Sequence, residues 1–181
     1  VAKGLTAGYV PLGACVFSDA IAAALHDVPI GSGLTYQSHP VSLAAAAATI
    51  PIYETDNLIE RSAEMGEYLL AGLRDLQARH VSVGDVRGLG LFTTLELVYD
   101  RDTRAELFPL AGPAGPTDTK MRQHFASRGL SAGLRGPWLF ANPPLIVEQD
   151  QIDFALSVFD EALEFADAAT SSTGADPPPH L

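Results

Sequence analysis

The residues that could do chemistry begin at the start of the chain, in Ala2-Lys3-Gly4-Leu5-Thr6-Ala7-Gly8-Tyr9-Val10-Pro11-Leu12-Gly13-Ala14. Lys3 lies among glycines that let backbone approach closely, and beside Leu5, Val10 and Leu12. Desolvation there would free the amine's lone pair and make it a nucleophile towards a carbonyl. The plain alternative is a solvated lysine at a frayed terminus. A phosphate-binding P-loop is excluded, because the lysine precedes the glycines and no Gly-Lys-Ser/Thr follows. The second place is Thr35, in a stretch from Val28 to His39 that also carries Gly31, Ser32, Gly33 and Ser38. A hydroxyl and neighbouring backbone donors can bind a phosphate, and the same composition also serves a simple turn. His39 reads as structural. The third is Arg135 beside Trp138, where a guanidinium at a turn could clamp a carboxylate through paired hydrogen bonds or lie solvated.

The elements that must position these groups follow from periodicity. Leu12 to Phe17 reads as a short buried strand, and Ser18 or Asp19 as the cap of a helix from Ala20 to about His26. Pro40 opens a helix that is apolar nearly all round and so is expected to be buried, with a kink or an end near Pro51. Asp56 reads as the N-cap of an amphipathic helix with Leu58, Met65, Leu69, Leu73 and Leu76 on one face, running to about His80. Val81 to Leu97 reads as two strands bent at Gly88 and Gly90, with Arg87 architectural and Glu96 its partner. A loop from Asp100 to Pro116 precedes a helix over Thr117 to Ser127, stopped by Gly129. Leu130 to Leu134 and Trp138 to Ala141 are expected strands, and Glu148 to Ala168 the last helix. The proline-rich tail from Thr170 is expected to be disordered.

Composition narrows the class. Twenty-two acidic against 11 basic side chains give a net charge of -11, which repels phosphate backbones and anionic lipid and argues against a nucleic-acid or membrane partner. The single cysteine, Cys15, leaves no intrachain disulfide and no cysteine-based metal site, so no metal is expected and the cytoplasm is the expected location. The chain opens at Val1 inside the lysine motif, which reads as a piece whose N-terminal part lies outside it.

Ala2-Lys3, followed by three residues and then Ala7-Gly8, resembles the lysine end of the signature of class III pyridoxal-phosphate-dependent aminotransferases. Gly8 to Ala14, Leu34-Thr35-Tyr36-Gln37-Ser38-His39-Pro40, Val86-Arg87-Gly88-Leu89-Gly90-Leu91 and Asn142-Pro143-Pro144-Leu145 resemble the same family, in its order and spacing, up to about Ala168. The resemblance implies an α/β protein of the pyridoxal-phosphate transferase fold type I. Residues 1–55 would end the large cofactor-binding domain, 56–169 would form the C-terminal α+β small domain, and 170–181 the tail. It implies that Lys3 forms a Schiff base with pyridoxal 5′-phosphate and then moves the proton. Thr35 would bind the phosphate of the neighbouring subunit's cofactor, making a homodimer with shared active sites. Arg135 and Trp138 would meet the substrate. Relatives acting on ornithine or 4-aminobutyrate carry an arginine at the place of Phe140, and many amine:pyruvate relatives carry one earlier on the strand, where Gly133 or Arg135 stands here. The segment from Arg135 to Pro144 looks most like the taurine:pyruvate type. The expected reaction moves an amino group from an ω-amino acid or amine to pyruvate or a similar keto acid. An aminomutase or racemase of the same fold, or a truncated interaction module, are the alternatives. Without the family's upstream phosphate loop, acidic partner and stacking aromatic, the piece alone is expected to be inactive.

Overall fold

The computed structural model describes residues 1–111 and 113–171, and the chain divides into two compact units, Val1–Ile59 and the part from Glu60 onward.

The first unit is helical. A 3-10 turn spans Lys3–Thr6, α1 spans Asp19–Ala24 and α2 spans Pro40–Thr55. Ser18 caps α1, its hydroxyl oxygen accepting the Ile21 N–H at 3.4 Å. Leu12 to Phe17 is not a strand: its one ladder-like contact is the reciprocal pair between Val1 and Ala14, each nitrogen donating to the other's carbonyl at 2.8 Å. An apolar run without a partner strand has no ladder to join, and Val16 and Phe17 are exposed. Nor does Pro51 end α2. The Ala47 carbonyl it leaves without an N–H belongs to an exposed residue open to water, and the helix runs on to Thr55. Within this unit α2 buries only Ser42 and Ala46, while Val41, Leu43, Ile50 and Ile52 are exposed. The expected burial fails because α2 is apolar on every side and a single 3-10 turn covers one stripe of it.

The second unit opens in α3, Leu58–Arg79. Asp56 does not cap it: the Asp56 N–H closes α2 on the Ile52 carbonyl at 3.0 Å, and Asn57, at φ 48°, makes the turn between the helices. The unit continues through β1 (Val83–Leu89), β2 (Phe92–Asp100), β3 (Ala105–Glu106), α4 (Pro116–Ser127), β4 (Gly133–Arg135), β5 (Trp138–Ala141) and α5 (Gln149–Ser171). The strands form an antiparallel sheet in the order β1-β2-β5-β4, with β3 paired to β2. The helix expected to end at Ala168 continues through Ser171, and the rest of the proline-rich tail, 172–181, lies outside the described residues.

One face of the sheet is apolar and carries the core. Val86, Leu95, Leu97, Leu134 and Leu139 meet Leu69, Leu73 and Leu76 of α3, Met121 and Phe125 of α4, and Ile152, Val158, Phe159 and Leu163 of α5. Each such side chain contributes about 1.5–3 kcal/mol by burial, which fixes the register of every strand against the helices. The β1–β2 turn sits hard against α3: Gly90 has φ 54°, and Gly66 of α3 lies so close to it that a methyl group there would collide with the Gly90 carbonyl. Among the described residues no helix is long and apolar enough to cross a membrane.

Candidate functional site

Lys3 stands at the start of the 3-10 turn with φ 54°, in the left-handed region that side-chain-bearing residues rarely adopt. The turn is closed by Ala7 N–H to the Gly4 carbonyl at 3.1 Å and by Tyr9 N–H to the Thr6 carbonyl at 3.0 Å. Thr6 is buried and its hydroxyl donates to the Val10 carbonyl at 2.5 Å, which fastens the turn to the segment after it. From α2 the Tyr53 phenol donates to the Gly4 carbonyl at 3.1 Å. This contact has no local signature beyond one polar-tipped aromatic two residues after Pro51.

Lys3 borders a hollow of about 710 Å³ that Gly8, Tyr9, Leu34, Tyr36 and Ser38 also border. The apolar enclosure expected around its amine is absent from this unit, because the hollow is open and Lys3 is exposed. Its amine makes no hydrogen bond or ion pair among the described residues. The chain's other lysine, Lys120, holds its ammonium 4.0 Å over the Phe165 ring.

Thr35 is exposed at a corner of the turn that the Gln37 N–H closes on the Leu34 carbonyl at 2.9 Å. Residues on either side of it border the hollow, but Thr35 itself does not. His39 makes no capping bond to the backbone; its ring instead tilts against Tyr36, with centroids 6.0 Å apart.

In the second unit Arg135 and Trp138 are direct cross-strand partners in the β4–β5 hairpin, turned by Gly136 at φ 54°. Gly133 faces Phe140 in the same ladder, and Trp138 also faces Glu96 of β2. Strand alternation puts Gly133, Arg135, Trp138 and Phe140 on the sheet face opposite the core, with Leu134 and Leu139 buried behind them. Arg135 makes no ion pair or hydrogen bond among the described residues. Neighbouring Arg122 is already committed to Asp118 and to the Leu134 carbonyl. Both arginines border a hollow of about 190 Å³. On the same sheet face Arg87 bonds Asp85 at 2.5 Å and Glu96 at 2.6 Å, and these two hydrogen-bonded carboxylates, Asp85 first, raise its guanidinium further above its ordinary range. Arg87 is thus architectural, with Glu96 as the partner expected from sequence.

The aminotransferase class-III family model matches residues 1–163. The chain belongs to the class-III aminotransferases. The chain is 35% identical over 171 residues to the putrescine--pyruvate aminotransferase of Pseudomonas aeruginosa, covering 93% of this chain and 36% of that protein. It is also 35% identical over 171 residues to the taurine--pyruvate aminotransferase of Rhodobacter capsulatus, covering 90% of this chain and 37% of that protein. Among solved structures, it resembles the taurine:2-oxoglutarate aminotransferase of Bifidobacterium kashiwanohense, in complex with PLP and glutamate. That match has a TM-score of 0.83 and 31% identity, and covers 92% of this chain and 37% of that one. The class-III chain thus spans little more than a third of the length of these relatives. Its fold is the α/β, type I fold of pyridoxal-phosphate-dependent transferases, and pyridoxal phosphate is the cofactor of the class.

The donor set fits that cofactor at one end. An amine without a partner among the described residues suits its aldehyde, whereas Thr35 does not border the hollow. Among the residues bordering the hollow none is acidic, so a counter-charge for the pyridine nitrogen is not among the groups this chain brings there.

Proposed function

We propose that this chain is the C-terminal portion of a cytoplasmic, homodimeric aminotransferase that moves an amino group from an ω-amino acid or amine to pyruvate or a similar keto acid. The observation that carries the reading is Lys3: an amine free of partners, in a left-handed turn at the edge of a hollow, in a chain of this family. The curated relatives named for putrescine--pyruvate and taurine--pyruvate transfer support the donor and acceptor classes.

Lys3 would hold pyridoxal phosphate through Nζ, and Thr35 would take the phosphate of the cofactor in the partner subunit, so that the two sites complete one another. The cofactor, when bound, supplies an aldehyde for the donor's nitrogen and a ring that draws off the electrons of the broken C–H bond. Lys3 Nζ would have two tasks: it would give up its place to the donor amine, and it would then carry a proton from the donor carbon to the cofactor's carbon, the same transfer running in reverse with the keto acid. Both need an amine that is not tied up in an ion pair. Arg135 would take the carboxylate or sulfonate of a substrate through paired N–H donors, with the Trp138 ring beside it. Phe140 offers an apolar surface on the same sheet face, which suits the methylene chain of an ω-amino donor.

Incubating the full-length protein with putrescine or taurine, pyruvate and pyridoxal phosphate tests this. Alanine is the expected product; its absence with every donor tried overturns the reading.

A further inference from the structure

The left-handed backbone of Lys3 is strained and persists only where the surroundings over-determine it. Most of the bonds that hold it are local. Ala7 to Gly4, Tyr9 to Thr6, Thr6 to Val10 and the Val1–Ala14 pair all join residues within the first fourteen. Tyr53 is different. It is 49 residues away from Gly4 in sequence, and among the described residues it is the turn's one hydrogen-bond partner from α2. Its phenol donates to the carbonyl of Gly4, the residue that follows Lys3, and this carbonyl also accepts the Ala7 N–H. The contact is close enough that a Cβ on Gly4 would stand 3.1 Å from the Tyr53 oxygen, so a glycine is what admits the phenol here.

We propose that Tyr53 is a positioning residue for Lys3, its hydroxyl fixing the peptide after Lys3 and with it the direction in which Nζ points. The proposal rests on the reading of Lys3 as the cofactor-holding lysine. Leverage makes the bond matter: a swing of roughly 10° at the Lys3 backbone displaces an amine about 6 Å from its Cα by about 1 Å. A misplacement of that size can cost ~100-fold in rate. Tyr53 does not itself border the hollow, and its hydrogen bond goes to the Gly4 carbonyl, so it acts through the turn.

The test is Tyr53→Phe in the full-length protein, which removes one hydroxyl and keeps the ring. In the cofactor-free protein, hydrogen exchange at the Ala7 and Tyr9 amides should quicken about fivefold, the loss of one ordinary hydrogen bond. In the loaded protein the pH midpoint of the visible absorbance of bound pyridoxal phosphate should move, and kcat should fall about tenfold with the donor's KM within about twofold. Gly4→Ala, which pushes the phenol away by another route, should give the same pattern, and agreement of the two separates positioning from general destabilisation. Exchange, absorbance midpoint and kcat all unchanged in Tyr53→Phe would overturn the proposal. So would a kcat loss matched only by a lower melting temperature. Borohydride reduction followed by peptide mass analysis of the wild type keeps the underlying reading separate. Cofactor mass on Lys3 with an unaffected Tyr53→Phe refutes the positioning role alone; cofactor mass elsewhere refutes both.

Discussion

His80, just past the end of α3, is buried and has a carboxylate at each ring nitrogen: Asp167 lies 2.7 Å from Nδ1 and Asp160 2.7 Å from Nε2. The result is a clamp from the end of α3 to two positions seven residues apart on α5. Arg79 joins it through Asp160, Arg101 holds the His80 carbonyl at 2.6 Å, and Ser82 bonds the second oxygen of Asp167 through its N–H at 2.9 Å and its hydroxyl at 2.6 Å. His80→Ala removes two hydrogen bonds to charged groups, each worth about 1.5–3 kcal/mol. The low end applies, because the Asp167 and Asp160 side chains are 26% and 39% exposed and keep Ser82 and Arg79 as partners. The expected loss is therefore about 3 kcal/mol. Trp138, the only tryptophan, lies in the sheet of the same unit, so its fluorescence in a urea titration reports the relevant transition. A double-mutant cycle with Asp160→Asn should assign about 1.5 kcal/mol to the His80–Asp160 pair. A total loss below about 1 kcal/mol with no measurable coupling would mean that the clamp behaves as a solvated surface pair.

Other outcomes follow from the same packing and charge. Gly66→Ala forces α3 off the β1–β2 turn and should cost about 2–3 kcal/mol in the same titration, whereas Gly129→Ala, with open space around it, should cost only the strain of its left-handed backbone, about 1 kcal/mol. Burial works to raise the Asp160 carboxyl, but hydrogen bonds from His80 and Arg79 outweigh it and hold the group below its ordinary range. The sign for a depressed carboxylate is that its stabilisation is whole above the unfolded value, about 4, and is lost as pH falls through the lower folded value. An acid titration of Asp160→Asn should therefore be flatter than wild type below that pH, and parallel curves would contradict the assignment. Arg135→Ala should lower kcat/KM for carboxylate- or sulfonate-bearing substrates about tenfold to a hundredfold and leave simple diamines nearly unchanged; equal losses for both would make Arg135 merely structural.

The long elements were legible because their signals are long. Leu58 to Leu76 and Ile152 to Leu163 repeat at helical spacing over several turns, and the alternation in Phe92 to Leu97 marks β2. β3 was not legible: two residues, Ala105 and Glu106, are too short to carry a period. Leu12 to Phe17 misled because an apolar run states a preference for burial without supplying a partner. The same limit applies to α2, whose alanines and isoleucines mark it for burial that the first unit does not provide. At the site, the residue types of Lys3, Thr35, Arg135 and Trp138 could be read from local motifs, and the Arg135–Trp138 pairing from the turn between them. Contacts made across long separations could not. Tyr53 to Gly4 and His80 to Asp160 and Asp167 depend on how helices lie against turns, although the seven-residue step between the two aspartates does place them on one face of α5.

Lys3 is the centre of the account, and the direct measurement is where the cofactor attaches. The full-length protein loaded with pyridoxal phosphate, reduced with borohydride and digested, should carry the cofactor's mass on the peptide containing Lys3. Lys3→Ala should abolish that mass along with alanine formation. An adduct on another lysine, or turnover that survives Lys3→Ala, would contradict the account.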